Sequence, residues 1–204
     1  MDRRFIKSEA KDVLKGNRFI LLLIMLLVGF ISGAVGATII GVLLSPLFST
    51  GLFFVIKNLI FKREVVAEYL YKEVKSFDHA AKICAVGLLY GLIIIVGLIL
   101  FIVPGYIFMY QYYQATRIIA ENPDMKILDA LKESKELMMG HKGELFVFHL
   151  SFIGHAFLII ITFGLYALYF MPYFATADTN YYLHLTRQKR IEEQKYVENT
   201  EYGF

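Results

Sequence analysis

Every lysine and arginine in this 204-residue chain falls in one of four blocks, separated by long apolar stretches. Residues 1–18 hold six of the 21 cations, 57–82 hold six, 117–142 hold five and 187–195 hold four. The stretches between them carry only two charges, Glu144 and Asp178. A bilayer core takes about 20 apolar residues per helix. The run from Phe19 to about Ile56 has room for two such helices, and far exceeds the roughly 7–15 apolar residues of a cleaved leader. Hydrophobic residues make up 57% of the chain and charged ones 19%, against about 45–50% and about 25% in soluble domains. The pattern predicts an all-α membrane protein.

The expected architecture is six transmembrane helices arranged as three hairpins, each preceded by a cytoplasmic amphipathic interfacial helix. Residues 1–185 form a single membrane domain, with spans at 19–37, 39–60, 82–103, 106–120, 144–163 and 165–185. Residues 186–204 form a polar tail with a loose end. Reversals are expected at the small-residue cluster from Ser32 to Thr38, at Pro104-Gly105 and at Gly164. These three turns are uncharged, so the positive-inside rule puts all four cationic blocks, and both termini, in the cytoplasm. Pro46 and Pro172 interrupt the second and sixth spans. Lys57 is expected to snorkel to the interface.

Two short stretches repeat at an offset of 124 residues. Residues 9–18 read EAKDVLKGNR and 133–142 read ESKELMMGHK. Glu9, Lys11, Gly16 and Arg18 correspond to Glu133, Lys135, Gly140 and Lys142, with His141 beside the last. Each stretch ends an amphipathic segment on a glycine suited to a left-handed helix cap, then a cation, then an apolar run. Each is read as a helix in the headgroup plane that turns into a span, and the pair as a parallel internal repeat. Val66, Tyr69, Leu70, Val74 and Phe77 suggest a third surface helix over 62–79.

The stretch ALKESKELMMGHKGELFVFHLSFIG, with MPYF downstream, the start IKSEAKDVLKGN and the VPG at 103–105 resemble the bacterial integral membrane proteins grouped as domain of unknown function 975. Members follow the SFIG run with tryptophan; here His155 stands there, and the chain has no tryptophan. The resemblance implies a multi-pass protein of the bacterial cell membrane and brings no catalytic residues with it.

Candidate chemistry is sparse. Asp178 lies within the sixth span, where an acid costs about 2.5–3.5 kcal/mol, and Arg117 on the fourth span is at comparable depth. These two are the candidate intramembrane pair. Gln111, Gln114, His149 and His155 are candidates for a polar pathway beside them. The two histidines are six residues apart and point about 120° away from each other on a helix, so they do not share a metal. There is no HExxH, no close acidic pair within a span and no phosphate-binding glycine loop. No catalytic, cofactor or metal site is assigned. Gly29-x-x-x-Gly33 and Gly87-x-x-x-Gly91 suit close helix packing within the bundle or a homodimer face. The cytoplasmic collar is expected to meet anionic lipid headgroups or a protein partner, and the small net charge of +3 gives no case for nucleic acid. A non-enzymatic role in scaffolding, assembly, stress protection or immunity is expected. The alternative is a small transporter or export component built on spans four and six.

Overall fold

The computed structural model describes residues 3–36, 39–100 and 102–201, and among these residues all regular structure is helical. The order is α1 Arg3–Val13, α2 Arg18–Gly36, α3 Ile39–Lys62, α4 Tyr69–Lys72, α5 Phe77–Leu100, α6 Ile102–Gln111, α7 Ala115–Glu121, α8 Ile127–Leu137, α9 Lys142–Leu150, α10 Ile153–Ile161 and α11 Leu165–Glu201. Among the described residues three segments are long and apolar enough to cross a membrane: Gly41–Lys62, Phe77–Ile99 and Lys142–Ile161. The pair α1 and α2, bent by 93° at its joint, makes a fourth if taken as one broken span.

The 124-residue repeat has a structural counterpart. Gly16 and Gly140 both take positive φ, +83° and +80°, the left-handed region where glycine meets no steric cost. The turns close alike: the Asn17 N–H donates to the Leu14 carbonyl at 3.2 Å and the His141 N–H to the Met138 carbonyl at 3.2 Å. At the same offset, Ala10 and Ser134, Val13 and Leu137, Leu14 and Met138, and Leu21 and Leu145 are all buried. Nothing lies within 4 Å of a Cβ built on either glycine, so an alanine there meets backbone strain alone. Gly16→Ala and Gly140→Ala are each expected to cost about 1–2 kcal/mol, read as a lowered unfolding midpoint in detergent. Equal, negligible losses would mean the elbows are not held.

Helix α11 is the centre of the bundle. Its residues Tyr173, Ala177, Tyr181, Tyr182 and Leu185 are buried, with α1, α2, α3, α8 and α10 packed around it. The hairpin of α5 and α6 is close enough at its closed end that a Cβ on Gly97 would lie 2.9 Å from the Gly105 Cα. A Cβ on Gly87 would fall against the Pro46 ring, whereas Gly29 and Gly91 face open space. Of the two glycine motifs, Gly87 is therefore a contact point between α3 and α5. The surroundings of Gly33 lie outside the described residues, as do Ala37 and Thr38 of the first expected reversal.

Several expectations are corrected. The apolar face of α1 is not left for lipid: Ile6, Ala10 and Val13 are buried because α1 lies along α11. Its cations reach aromatic rings, Lys7 over Phe152 at 3.9 Å and Lys11 over Tyr173 at 5.5 Å. The six-span scheme starts the first and sixth spans at opposite membrane faces, yet the Arg18 guanidinium at the start of α2 lies 4.0 Å from the Tyr169 ring near the start of α11. Between α3 and α5, residues 63–76 are helical only at α4. Arg63 takes φ +61° and ends α3, and Phe77 is 91% exposed. Pro104 and Gly105 are the third and fourth residues of α6, within its first turn, where a proline needs no helical N–H partner. The fourth span is broken between Gln111 and Ala115; the fifth has an irregular turn between Leu150 and Ile153 and still counts as one segment long enough to cross. The polar tail expected from 186 continues α11 as helix to Glu201, and its expected loose end, 202–204, lies outside the described residues.

Candidate functional site

Asp178 sits in the middle of α11 and is 5% exposed. Its Oδ2 accepts from the Arg117 Nη2, an ion pair as well as a hydrogen bond, and from the Tyr113 hydroxyl at 3.1 Å. Its Oδ1 is 3.2 Å from the His149 Nε2. An ionised carboxylate only accepts, so Nε2 carries the proton in this contact. The Arg117 Nη1 donates to the Gln114 Oε1 at 2.7 Å. Gln114 precedes α7 but makes no side-chain cap; the break after α6 turns it, and Tyr113, inward. The structure thus brings Asp178 together with Arg117, Gln114 and His149, and adds Tyr113, which the residue-by-residue reading left out.

Two expected members of a polar pathway lie elsewhere. Gln111 accepts from the Lys142 Nζ at 2.6 Å through its side chain and from the Ser134 hydroxyl at 3.1 Å through its carbonyl. It fastens α6 to α8 and α9. His155 lies 4.7 Å from the Phe170 ring, between Phe152, Tyr166 and Tyr173. It fills an aromatic cluster, which suits a position where the resemblance expects another flat ring. Among the described residues no three His, Cys, Asp or Glu side chains converge on a metal-sized space.

Four alternating polar residues of α11 divide between two faces. Residues two apart on a helix differ by about 200° in direction, while residues four apart share a face. Asp178 and Tyr182 face α7, where the Tyr182 hydroxyl donates to the Glu121 Oε2 at 2.7 Å. Asn180 and His184 face α1, where the Glu9 Oε2 accepts from the Asn180 Nδ2 at 2.8 Å and lies 2.7 Å from the His184 Nε2. Lys57 pairs with the other oxygen of Glu121. The two i, i+4 polar pairs were visible in the sequence as a signal; their partners on α1 and α7 were not.

The remaining repeat residues have unlike roles. Glu133 lines a charged cleft with Lys57, Glu121 and Arg190. Lys135 is exposed, and the His141 Nδ1 lies 2.8 Å from the Glu144 Oε2.

Burial pushes the Glu9 carboxyl up, but the hydrogen bonds from His184 and Asn180 and the nearby charges outweigh it, leaving its pKa below the ordinary 4.5. A depressed carboxylate contributes stability that is present above its unfolded pKa and lost as pH falls through the folded one. The attachment of α1 is therefore expected to hold at neutral pH and to loosen below about pH 4.5. Hydrogen exchange of the α1 amides, corrected for intrinsic rates, should accelerate over that range in the natural protein. In Glu9→Gln the step should vanish; a step that persists would place the titrating group elsewhere.

No curated protein and no solved structure matches the chain. A family model described as "Protein of unknown function (DUF975)" matches residues 37–189, from the start of α3 through most of α11. That stretch holds the whole Asp178 cluster and the second copy of the repeat, and the chain belongs to the DUF975 family.

Proposed function

We propose that this chain is a multi-pass protein of the bacterial cell membrane, without catalytic activity of its own, that acts through inner-leaflet lipids or a protein partner. The observation that carries this reading is the outward aim of its large apolar side chains. Leu92, Ile95, Val96 and Ile99 on α5, and Phe157, Ile160 and Ile161 on α10, are exposed. In water such a belt would be an aggregation site; in lipid it is solvated. The Asp178 carboxylate supports a structural role over a chemical one, because Arg117, Tyr113 and His149 all occupy it.

Six crossings with both termini cytoplasmic is the finer form of the proposal. Cations stand beside exposed apolar side chains at the ends of the bundle, Lys72 beside Tyr71, and Lys132 and Lys135 with Leu128 and Met139. Anionic headgroups attract such cations by about 1 kcal/mol each.

Single cysteines in a Cys84→Ser background test this with a membrane-impermeant maleimide on intact cells. Lys72→Cys and Lys135→Cys are expected to stay unlabelled until the cells are opened, and Phe163→Cys to label from outside. Labelling of Lys72→Cys or Lys135→Cys from outside would sink the orientation. Protection of all three sites would leave fewer than six crossings, as the contact of Arg18 with Tyr169 would favour.

A further inference from the structure

A cavity of about 540 Å³ lies between α3, α5, α7 and α11, within the range of about 300–1,000 Å³ typical of ligand sites. Most of its wall is apolar, including Phe53, Ile56 and Phe174, while Ser49, Thr50 and the ion pair of Arg117 with Asp178 supply polar atoms. The α3 side follows from Pro46. A proline has no N–H to give, and the Ser45 hydroxyl donates at 2.8 Å to the Val42 carbonyl, the acceptor that N–H would have used. The Ser49 hydroxyl in turn donates to the Pro46 carbonyl at 2.9 Å.

That carbonyl is the usual acceptor for a hydroxyl four residues on, and Thr50 is left without it. Thr50 is 2% exposed, lines the cavity, and its Oγ1 has no hydrogen-bond partner. A buried unmatched hydroxyl is costly. Opposite it, Arg117 gives Nη1 to Gln114 and Nη2 to Asp178; a guanidinium has five N–H groups, so donors remain. Ser45 and Ser49 are exposed, next to exposed Val42, Leu43 and Leu44, so the mouth opens beside the apolar belt.

We propose that this cavity binds a single-chain amphiphile drawn from the bilayer, its oxygen-bearing head accepting hydrogen bonds from Thr50 and Arg117 and its tail lying along Phe53 and Phe174. The proposal rests on the membrane reading above. An apolar wall with donors and an unmatched hydroxyl fits an uncharged head, an ester or a protonated acid, because the Asp178 carboxylate on the same wall already neutralises Arg117 and repels a charged one.

The test uses the full chain in lipid vesicles with palmitic acid bearing a mid-chain diazirine, followed by peptide mapping of the photoadducts. Adducts are expected within 49–56 and 87–90, displaced by excess unlabelled palmitic acid and lost in Ser49→Phe, which fills the space. Thr50→Val keeps the volume and removes only the hydroxyl. It should weaken labelling about two- to tenfold, and it decides the matter should Ser49→Phe fail to fold. Adducts confined to the outer belt at Ile95, Ile99 and Phe157, not displaced by palmitic acid, would overturn the cavity while leaving the membrane reading standing. Absence of any adduct would overturn both.

Discussion

Asp178→Asn is expected to destabilise the protein by about 3–5 kcal/mol, the usual cost of stripping one partner from a buried ion pair. The amide keeps the shape of the carboxylate but not its charge, and Arg117, only 18% exposed at its side chain, is left uncompensated. The rings of Phe53, Tyr113 and Tyr182, at 5.7, 5.5 and 5.8 Å, give the guanidinium some relief, since a cation over a ring gains about 0.5–2 kcal/mol. That does not replace a charge-assisted hydrogen bond and a counter-ion. Replacing both partners, Arg117→Met with Asp178→Leu, is expected to recover most of the loss, because apolar substitutes for a whole buried pair are often neutral. Denaturation of the purified single and double variants in mixed micelles measures this. A double variant as unstable as Asp178→Asn would mean that the cluster does more than hold helices together. Loss of a solute flux in a well-folded double variant would then favour a transporter.

Phe148→Ala should cost about 3–5 kcal/mol, as large-to-small changes in packed cores do. Phe148 is fully buried and meets Phe152 and Tyr181 edge-on or tilted at 5.2 Å each. Its removal leaves a void between α9 and α11, beside the ring of Tyr181, whose hydroxyl has no hydrogen-bond partner. Its counterpart in the repeat, Ile24, is buried as well, and Ile24→Ala falls in the range of about 2–5 kcal/mol. Phe157, an equally large ring on the exposed side of α10, is the control. Phe157→Ala should stay within about 0.5 kcal/mol. Similar losses at Phe148 and Phe157 would mean that the outer surface of α10 is itself an interface.

What could be read directly from the residues is what local chemistry dictates. A glycine followed by a cation, twice at one offset, names two elbows because only glycine enters the left-handed region cheaply. Asp178 and Arg117 stood out because so few charges interrupt the apolar stretches that each had few alternatives. The remainder depended on long-range packing. The amphipathic pattern of α1 says that one face is apolar; it does not say whether lipid or α11 covers it. Pro104-Gly105 suits a turn and the opening of a helix equally. The stripe over 62–79 has helical spacing, yet between α3 and α5 only the one turn of α4 forms, so tertiary contact outweighed the period. His155 read as an ionisable group, and the rings around it make it a packing residue.

The alternation along α11 has a thermodynamic consequence. Within two turns this helix is tied to α7 and α9 through Asp178, to α1 through Asn180 and His184, and to α7 again through Tyr182. Ties on opposite sides of one stiff rod fix its rotation as well as its depth, so a twist that relaxes one side strains the other. At neutral pH, with the Glu9 contact intact, such a core is expected to melt as one unit.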